Sequence, residues 1–169
     1  LSSVYNNLSE SKIAWSPKLN ISFTPSSQWQ LFLKTGKGFH SNDSRVVVAR
    51  SGKQILPAAY GADIGASWKP KSRLWLNAAL WYLFLEQEFV YVGDAGVVEP
   101  SGQTRRIGFD FGLRYQLSQW LFFDTDVNYT LARAINEPTE ANYIPLAPDL
   151  SATGRMTLQH PGGLSACIG

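Results

Sequence analysis

Cysteine, histidine and charged residues are scarce in this chain of 169 residues, and each shortage removes a class of function. The single cysteine, Cys167, allows neither an internal disulfide nor a cysteine cluster for zinc. The two histidines, His40 and His160, are far apart, and neither lies in a spacing typical of a metal site. A net charge of +2 gives no electrostatic basis for binding nucleic acid. We therefore expect no enzymatic activity, no resident metal, no cofactor and no nucleic-acid partner.

Long apolar runs are also missing. The longest, Ala78–Leu85, falls far short of the ~18 residues that a transmembrane helix requires. A helical membrane protein is therefore excluded, whereas a membrane-spanning β-barrel is not, because its apolar residues occupy alternate positions. Aromatic residues make up 13% of the chain and include six tryptophans, as expected for a barrel with an aromatic belt at each membrane interface.

Several segments alternate between apolar and polar positions, which is typical of strands with two different faces. In the segment 107–115, Gly108, Asp110, Gly112 and Arg114 separate the apolar residues. Those apolar residues are Ile107, Phe109, Phe111, Leu113 and Tyr115. A period of two over this length indicates a strand and not a helix.

The alternation and the turn residues together predict a rhythm of strands and connections. Strands are predicted over 12–24, 28–38, 58–69, 73–91, 104–117, 120–132 and 149–160, with an eighth beginning at Leu164. Short turns rich in proline, glycine and serine alternate with long segments near 39–57, 92–103 and 133–148. All short turns therefore lie at one end and all long loops at the other, as in an outer-membrane barrel with periplasmic turns and extracellular loops. The predicted fold is an all-β, antiparallel, up-and-down transmembrane β-barrel segment.

Three features favour lipid on the apolar side of these strands. Charged residues such as Asp110 and Asp124 lie at mid-strand on the polar side, which suits a hydrated interior, and the strands are long enough to cross a bilayer, for which ~9–11 residues suffice. The third feature is aromatic residues near both strand ends. These are Phe23, Trp29, Trp68, Trp75 and Trp120 by the short turns, and Tyr60, Phe89, Tyr91 and Tyr129 nearer the long loops. Two alternatives remain open: a self-contained eight-stranded outer-membrane barrel with a structural or adhesive role, and a soluble lipocalin-like binder with the two sides exchanged.

Two places deviate from the pattern. Pro17 lies inside the first predicted strand, where it removes a backbone donor. The segment 75–85 is apolar on both sides, so its inward residues must pack on something inside the barrel, such as a plug domain. Glu86 and Glu88 share the predicted lipid-facing side of this strand, so we expect the strand to have left the membrane by residue 86.

The stretch 34–45 resembles the G-x-G-F-H-S-N-D segment of TonB-dependent outer-membrane receptors. Further segments resemble the same family in the same order, and together they cover nearly the whole chain. They are 56–57, 60–65, 74–82, 85–96, 105–108 and 143–148. The chain resembles the C-terminal third of such a barrel.

The resemblance implies a barrel of ~22 strands around an N-terminal plug in a bacterial outer membrane. Such receptors take up scarce nutrients, commonly ferric siderophores, cobalamin or other metal complexes, with energy from the TonB complex. The implied partners are outer-membrane lipid, a small-molecule or metal-chelate ligand, and the TonB complex through the plug region. Because plug, TonB box and earlier strands are missing from the sequence, we interpret residues 1–169 as the C-terminal portion of the barrel.

The long loops and the strand ends that support them are the expected ligand-binding region. If the ligand is anionic, the pair Arg105 and Arg106 is the best candidate, because guanidinium groups bind carboxylates and phosphates bidentately. The predicted ligand-binding residues are His40, Asn42, Asp43, Arg45, Asp94, Arg105, Arg106 and Tyr143.

Overall fold

The computed structural model describes residues 13–39, 56–92, 97–135, 137–138, 142–144 and 147–169. Within these ranges the chain forms eight strands. They are β1 (Lys18–Ser26), β2 (Trp29–Phe39), β3 (Ala58–Lys71), β4 (Leu74–Val92), β5 (Val97–Gln116), β6 (Leu121–Ala134), β7 (Leu150–Gln159) and β8 (Ser165–Ile168).

The strands form one sheet in chain order, β1 to β8, and each pair of neighbours is antiparallel. This confirms the prediction of an all-β, up-and-down arrangement. Across the described ranges, no helix is long and apolar enough to span a bilayer.

The short connections lie at one end of the sheet, as predicted. Turns at 27–28 and 72–73 join β1 to β2 and β3 to β4, and segments 117–120 and 160–164 join the next two hairpins. In the last turn, Gly163 adopts a φ of 89°, a left-handed conformation that costs glycine little. The predicted long loop 39–57 lies largely outside the described residues, whereas ten of the sixteen residues of the predicted loop 133–148 are described.

One face of the sheet, here the apolar face, carries rows of apolar side chains that the register aligns from strand to strand. A central row runs through Leu33, Ile64, Leu80, Phe109, Tyr129 and Leu150. These side chains are exposed, with Ile64 at 60% and Leu80 at 57%. Among the described residues, the buried apolar side chains are the small ones of Pro57, Ala58 and Ala132, so the sheet has no core of its own. An apolar surface of this extent requires an external apolar partner.

The opposite face, here the polar face, carries large side chains that lie over glycines of the neighbouring strand. A Cβ atom at Gly108 would come within 2.2 Å of the Trp81 ring, and one at Gly65 within 2.4 Å of Phe32. Trp81 therefore packs on the sheet itself. This contact accounts for the apolar character of β4 on both sides at this position.

Two predicted strand boundaries were wrong. The first strand begins at Lys18 and not at residue 12, so Pro17 precedes the strand, and its carbonyl accepts the Lys37 N–H at 2.9 Å. Proline cannot donate to a strand ladder, which is why pairing starts after it. The predicted loop 92–103 is shorter than expected, because β4 and β5 continue pairing as far as Val92 and Val97.

A bulge changes the face of one acidic residue. Leu85 pairs with Thr104 and Glu88 pairs with Gly102, so β4 has two intervening residues where β5 has one. The additional residue places Glu88 on the polar face with Thr104, and the prediction that Glu86 and Glu88 share the lipid-facing side is wrong. The register returns at Phe89, which pairs with Pro100.

Trp75 was also assigned to the wrong face. It pairs with Arg114 and therefore lies on the polar face, not in an aromatic belt. Trp29 and Trp68 do lie on the apolar face beside the short turns, where their rings stack with centroids 5.1 Å apart. The side chains of Phe89 and Tyr91 lie outside the described part of the structure.

Candidate functional site

Near the loop end of the polar face, Glu88, Thr104 and Arg106 form a rim cluster. The fully buried Thr104 donates its hydroxyl to Glu88 Oε2 at 2.7 Å, and Arg106 Nη2 pairs with Glu88 Oε1. On the adjacent bulge, Glu86 Oε2 accepts the backbone N–H of Ala58 at 3.0 Å. The bulge thus brings one carboxylate between two donors of β5 and fixes the base of the β4–β5 hairpin.

A central network crosses the middle of the polar face from β4 to β6. Trp81 donates its indole N–H to Asp110 Oδ1 at 3.0 Å, and the amide of Asn128 donates to the same oxygen. Thr130 then donates to Asn128 Oδ1 at 3.1 Å. Both donors to Asp110 Oδ1 are neutral groups, so the negative charge of Asp110 is not matched by a cation within this network.

A third group lies closer to the short turns, where Arg114 contacts two carboxylates of β6. Its Nη2 donates to both oxygens of Asp126 at 2.8 and 2.9 Å, and its Nε lies 3.6 Å from Asp124 Oδ1. Its Nη1 donates to the carbonyls of Leu113 and Thr125. Arg114 and Asp124 line an open depression of about 440 Å³, together with Trp75. Lys69 and Arg73 line the same depression, and Arg155 pairs with Asp124 in the register, so this part of the polar face carries both cations and carboxylates.

Most predicted ligand-binding residues lie outside the described residues. These are His40, Asn42, Asp43, Arg45 and Asp94. Their role in binding stays a prediction.

Arg105 and Arg106, which were predicted to act as a pair, lie on opposite faces because successive strand residues alternate. Arg106 is on the polar face in the rim cluster, and Arg105 pairs with Phe84 on the apolar face. The two guanidinium groups therefore cannot hold one ligand together. A role for either one alone stays a prediction.

Tyr143 forms an isolated antiparallel bridge with Arg133, and its ring lies 4.0 Å from the Arg133 guanidinium carbon. Its side chain is 61% exposed. The structure thus holds this predicted loop residue against the end of β6 and leaves much of its surface accessible.

Sequence reasoning missed the ion pairs of the polar face. The pairing of Arg114 with Asp124 could have been found, because the short connection at 117–120 fixes the register of β5 on β6. The contact between Glu88 and Arg106 depends on the bulge, for which the sequence pattern gives no signal.

The polar face offers fixed hydrogen-bonding groups and charges, and its described carboxylates are distributed along the sheet instead of converging. Within the part of the chain that the structure describes, no group of three or more histidine, cysteine or acidic side chains could hold a metal ion.

A single-layer antiparallel sheet with an exposed apolar face and a hydrogen-bonded polar face is a section of a transmembrane β-barrel wall. The comparisons agree with this class. The family model of the TonB-dependent receptor-like β-barrel matches residues 3–166, and the chain belongs to this family. Because the chain belongs to this family, the alternative of a soluble lipocalin-like binder is wrong.

Solved structures of two bacterial proteins, the receptor Fiu and the transporter FrpB, share this fold. The ferric-catecholate import receptor Fiu from E. coli K12 superposes with a TM-score of 0.65 at 16% identity, over 88% of this chain and 23% of that one. The FrpB iron transporter from Neisseria meningitidis, F3-3 variant, gives a TM-score of 0.64 at 11% identity, over 89% and 25%. Its F5-1 variant gives 0.63 at 12% identity, over 90% and 26%. The chain thus spans about a quarter of each of these proteins. A search of curated proteins finds no match.

Proposed function

We propose that this chain forms part of the wall of an outer-membrane receptor that takes up a scarce nutrient with energy from the TonB complex. The observation that carries the proposal is the family match over residues 3–166, on a sheet with one exposed apolar face. In this role the apolar face contacts lipid and the polar face lines the interior. The wall itself has no enzymatic activity.

Iron complexes are the proposed substrate class. Fiu is described as a ferric-catecholate import receptor and FrpB as an iron transporter, and both share the fold of this chain. Ligand is captured by the long loops and passes along the polar face. Energy reaches the receptor through a plug region that contacts the TonB complex.

Uptake measurements in the source bacterium test this proposal. The gene that carries this chain is deleted, and uptake of ⁵⁵Fe is measured with a ferric catecholate under iron limitation. We expect uptake to fall on deletion, to return with the full-length gene, and to stay low when the restored strain lacks TonB. Unchanged uptake with the catecholate, with a hydroxamate chelate and with cobalamin would contradict a role in uptake of the proposed nutrients. Loss for cobalamin alone would contradict only the iron assignment.

A further inference from the structure

A row of cationic and aromatic residues crosses the apolar face at its loop end. The register places Lys37 beside Tyr60, Tyr60 beside Phe84, Phe84 beside Arg105, and Arg105 beside Arg133, to which Tyr143 is bridged. We call these residues the cation row: Lys37, Tyr60, Phe84, Arg105, Arg133 and Tyr143. Five strands contribute to it, so it is a property of the sheet and not of one segment.

The cation row marks the end of the apolar band. The next row towards the middle of the sheet has no charged residue and consists of Thr35, Ala62, Tyr82, Ile107 and Leu131. Two residues along a strand span about 7 Å. The three cations therefore lie about 7 Å beyond apolar side chains that require lipid. This position corresponds to the depth of the lipid headgroups.

Two of the three cations lie over aromatic rings. Lys37 Nζ lies 5.5 Å from the centroid of the Tyr60 ring, and Arg133 lies over Tyr143. Among the described residues, no ion pair joins Lys37, Arg105 or Arg133 to an acid. The carboxylate nearest along β4 on this face is Glu86, which accepts the Ala58 N–H. The row therefore keeps a net positive charge and free donors.

The other end of the apolar face differs. The row that contains the stacked Trp29 and Trp68 continues through Leu76, Leu113 and Thr125 and has no cation. Both ends carry aromatic residues, as an interface requires. The loop end has three cations in one row, whereas at the short-turn end the register places Lys71 on this face, opposite Leu74. In a bilayer with two identical leaflets, both ends of the apolar face would face the same headgroups. The difference between the ends therefore indicates two leaflets of different composition.

We propose that the cation row binds the phosphate groups of phosphorylated lipid in the outer leaflet of the membrane. Guanidinium groups bind phosphate oxygens bidentately, and a lysine on an aromatic ring supplies a further point charge. Basic side chains near a membrane surface favour anionic headgroups by about tenfold or less each. The assignment rests on the apolar face contacting lipid and is independent of the nutrient and of energy coupling.

Lipid retention by the full-length receptor tests the assignment. The receptor is purified in detergent and titrated with diphosphorylated lipid A, and bound lipid is counted by native mass spectrometry. The variant K37Q/R105Q/R133Q is compared with K18Q/K34Q/R155Q, which removes equal charge from the polar face. We expect the first variant to bind lipid A on the order of 100-fold more weakly, and the second to bind it like the wild type. The variant K37R/R105K/R133K keeps the charge and should retain most of the affinity.

Four results would overturn the assignment. The first two are unchanged lipid A binding by K37Q/R105Q/R133Q and an equal loss of binding in both glutamine variants. The other two are an equal loss of affinity when the lipid A carries no phosphates, and displacement of lipid A by inorganic phosphate at equal concentration. The last would indicate a site for free phosphate and not for lipid. Gel mobility before and after boiling establishes that each variant is folded. If K37Q/R105Q/R133Q does not fold, K37R/R105K/R133K is compared with the single variant R105Q instead. The assignment then predicts that only R105Q loses affinity for lipid A.

Discussion

Trp81 lies across Gly108 so closely that a β-carbon at position 108 would come within 2.2 Å of its indole ring. The ring is also tied to Asp110 by its N–H, so it cannot move aside without losing a hydrogen bond. Because the Trp81 ring fills this space, residue 108 has to be glycine. Trp81 and Gly108 together keep the polar face closely packed.

Gly108→Ala should therefore destabilise the barrel by roughly 1–3 kcal/mol, the cost typical of overpacking. Urea unfolding of the full-length receptor in vesicles, followed by tryptophan fluorescence, measures this change. Gly154→Ala is the control, because a Cβ there meets nothing within 4 Å, and its effect should stay within about 0.5 kcal/mol. Equal effects at both positions would mean that the contact with Trp81 is unimportant.

Glu88→Gln should loosen the base of the β4–β5 hairpin. The substitution removes the charge that Arg106 faces and weakens the acceptor of the Thr104 hydroxyl. We expect faster amide hydrogen exchange in residues 85–106, whereas exchange in β2 and β3 should not change. In a double-mutant cycle with Arg106→Gln, coupling of about 0.5 kcal/mol or more is expected. The exposed Glu137→Gln is the charge control, and purely additive effects of Glu88→Gln and Arg106→Gln would contradict the pairing.

Arginine on the apolar face should be far more costly than arginine on the polar face. Val127→Arg places a charge in the band that contacts lipid and should cost about 2–4 kcal/mol at the bilayer midplane. Ser151→Arg, on the polar face of the neighbouring strand, should cost under about 1 kcal/mol. Unfolding in vesicles compares the two, and a larger cost at position 151 would reverse the assignment of the faces.

Tryptophans of the two faces should differ in their access to lipid. Trp68 lies on the apolar face and Trp81 on the polar face. In variants whose sole tryptophan is Trp68 or Trp81, brominated phospholipid should quench Trp68 and leave Trp81 largely unquenched. Quenching of both to the same extent would mean that lipid reaches the polar face.

The sequence was sufficient to predict the strands, their faces and the short turns, because alternation and turn residues are local signals. It failed at the bulge, where the geometry departs from regular pairing, and at residues that were assigned without regard to the alternation of faces. Glu88 changes face through a bulge, and the register that reveals it depends on hydrogen bonds to β5. Trp75 was assigned by its residue type and its distance from a turn, whereas the position of its side chain follows from pairing with Arg114. The prediction that Arg105 and Arg106 act as a pair was wrong for the same reason, because neighbours in a strand face opposite sides of the sheet.

The chain-order arrangement of the strands has a consequence for how such a wall can change. Among the eight described strands, each is hydrogen-bonded only to the strands before and after it in the sequence, and no crossover connects distant strands. A two-strand unit could be inserted or removed without rerouting any connection, provided that the apolar rows stay aligned. The circumference of a barrel built in this way is therefore adjustable by hairpin duplication, since the diameter grows with the number of strands.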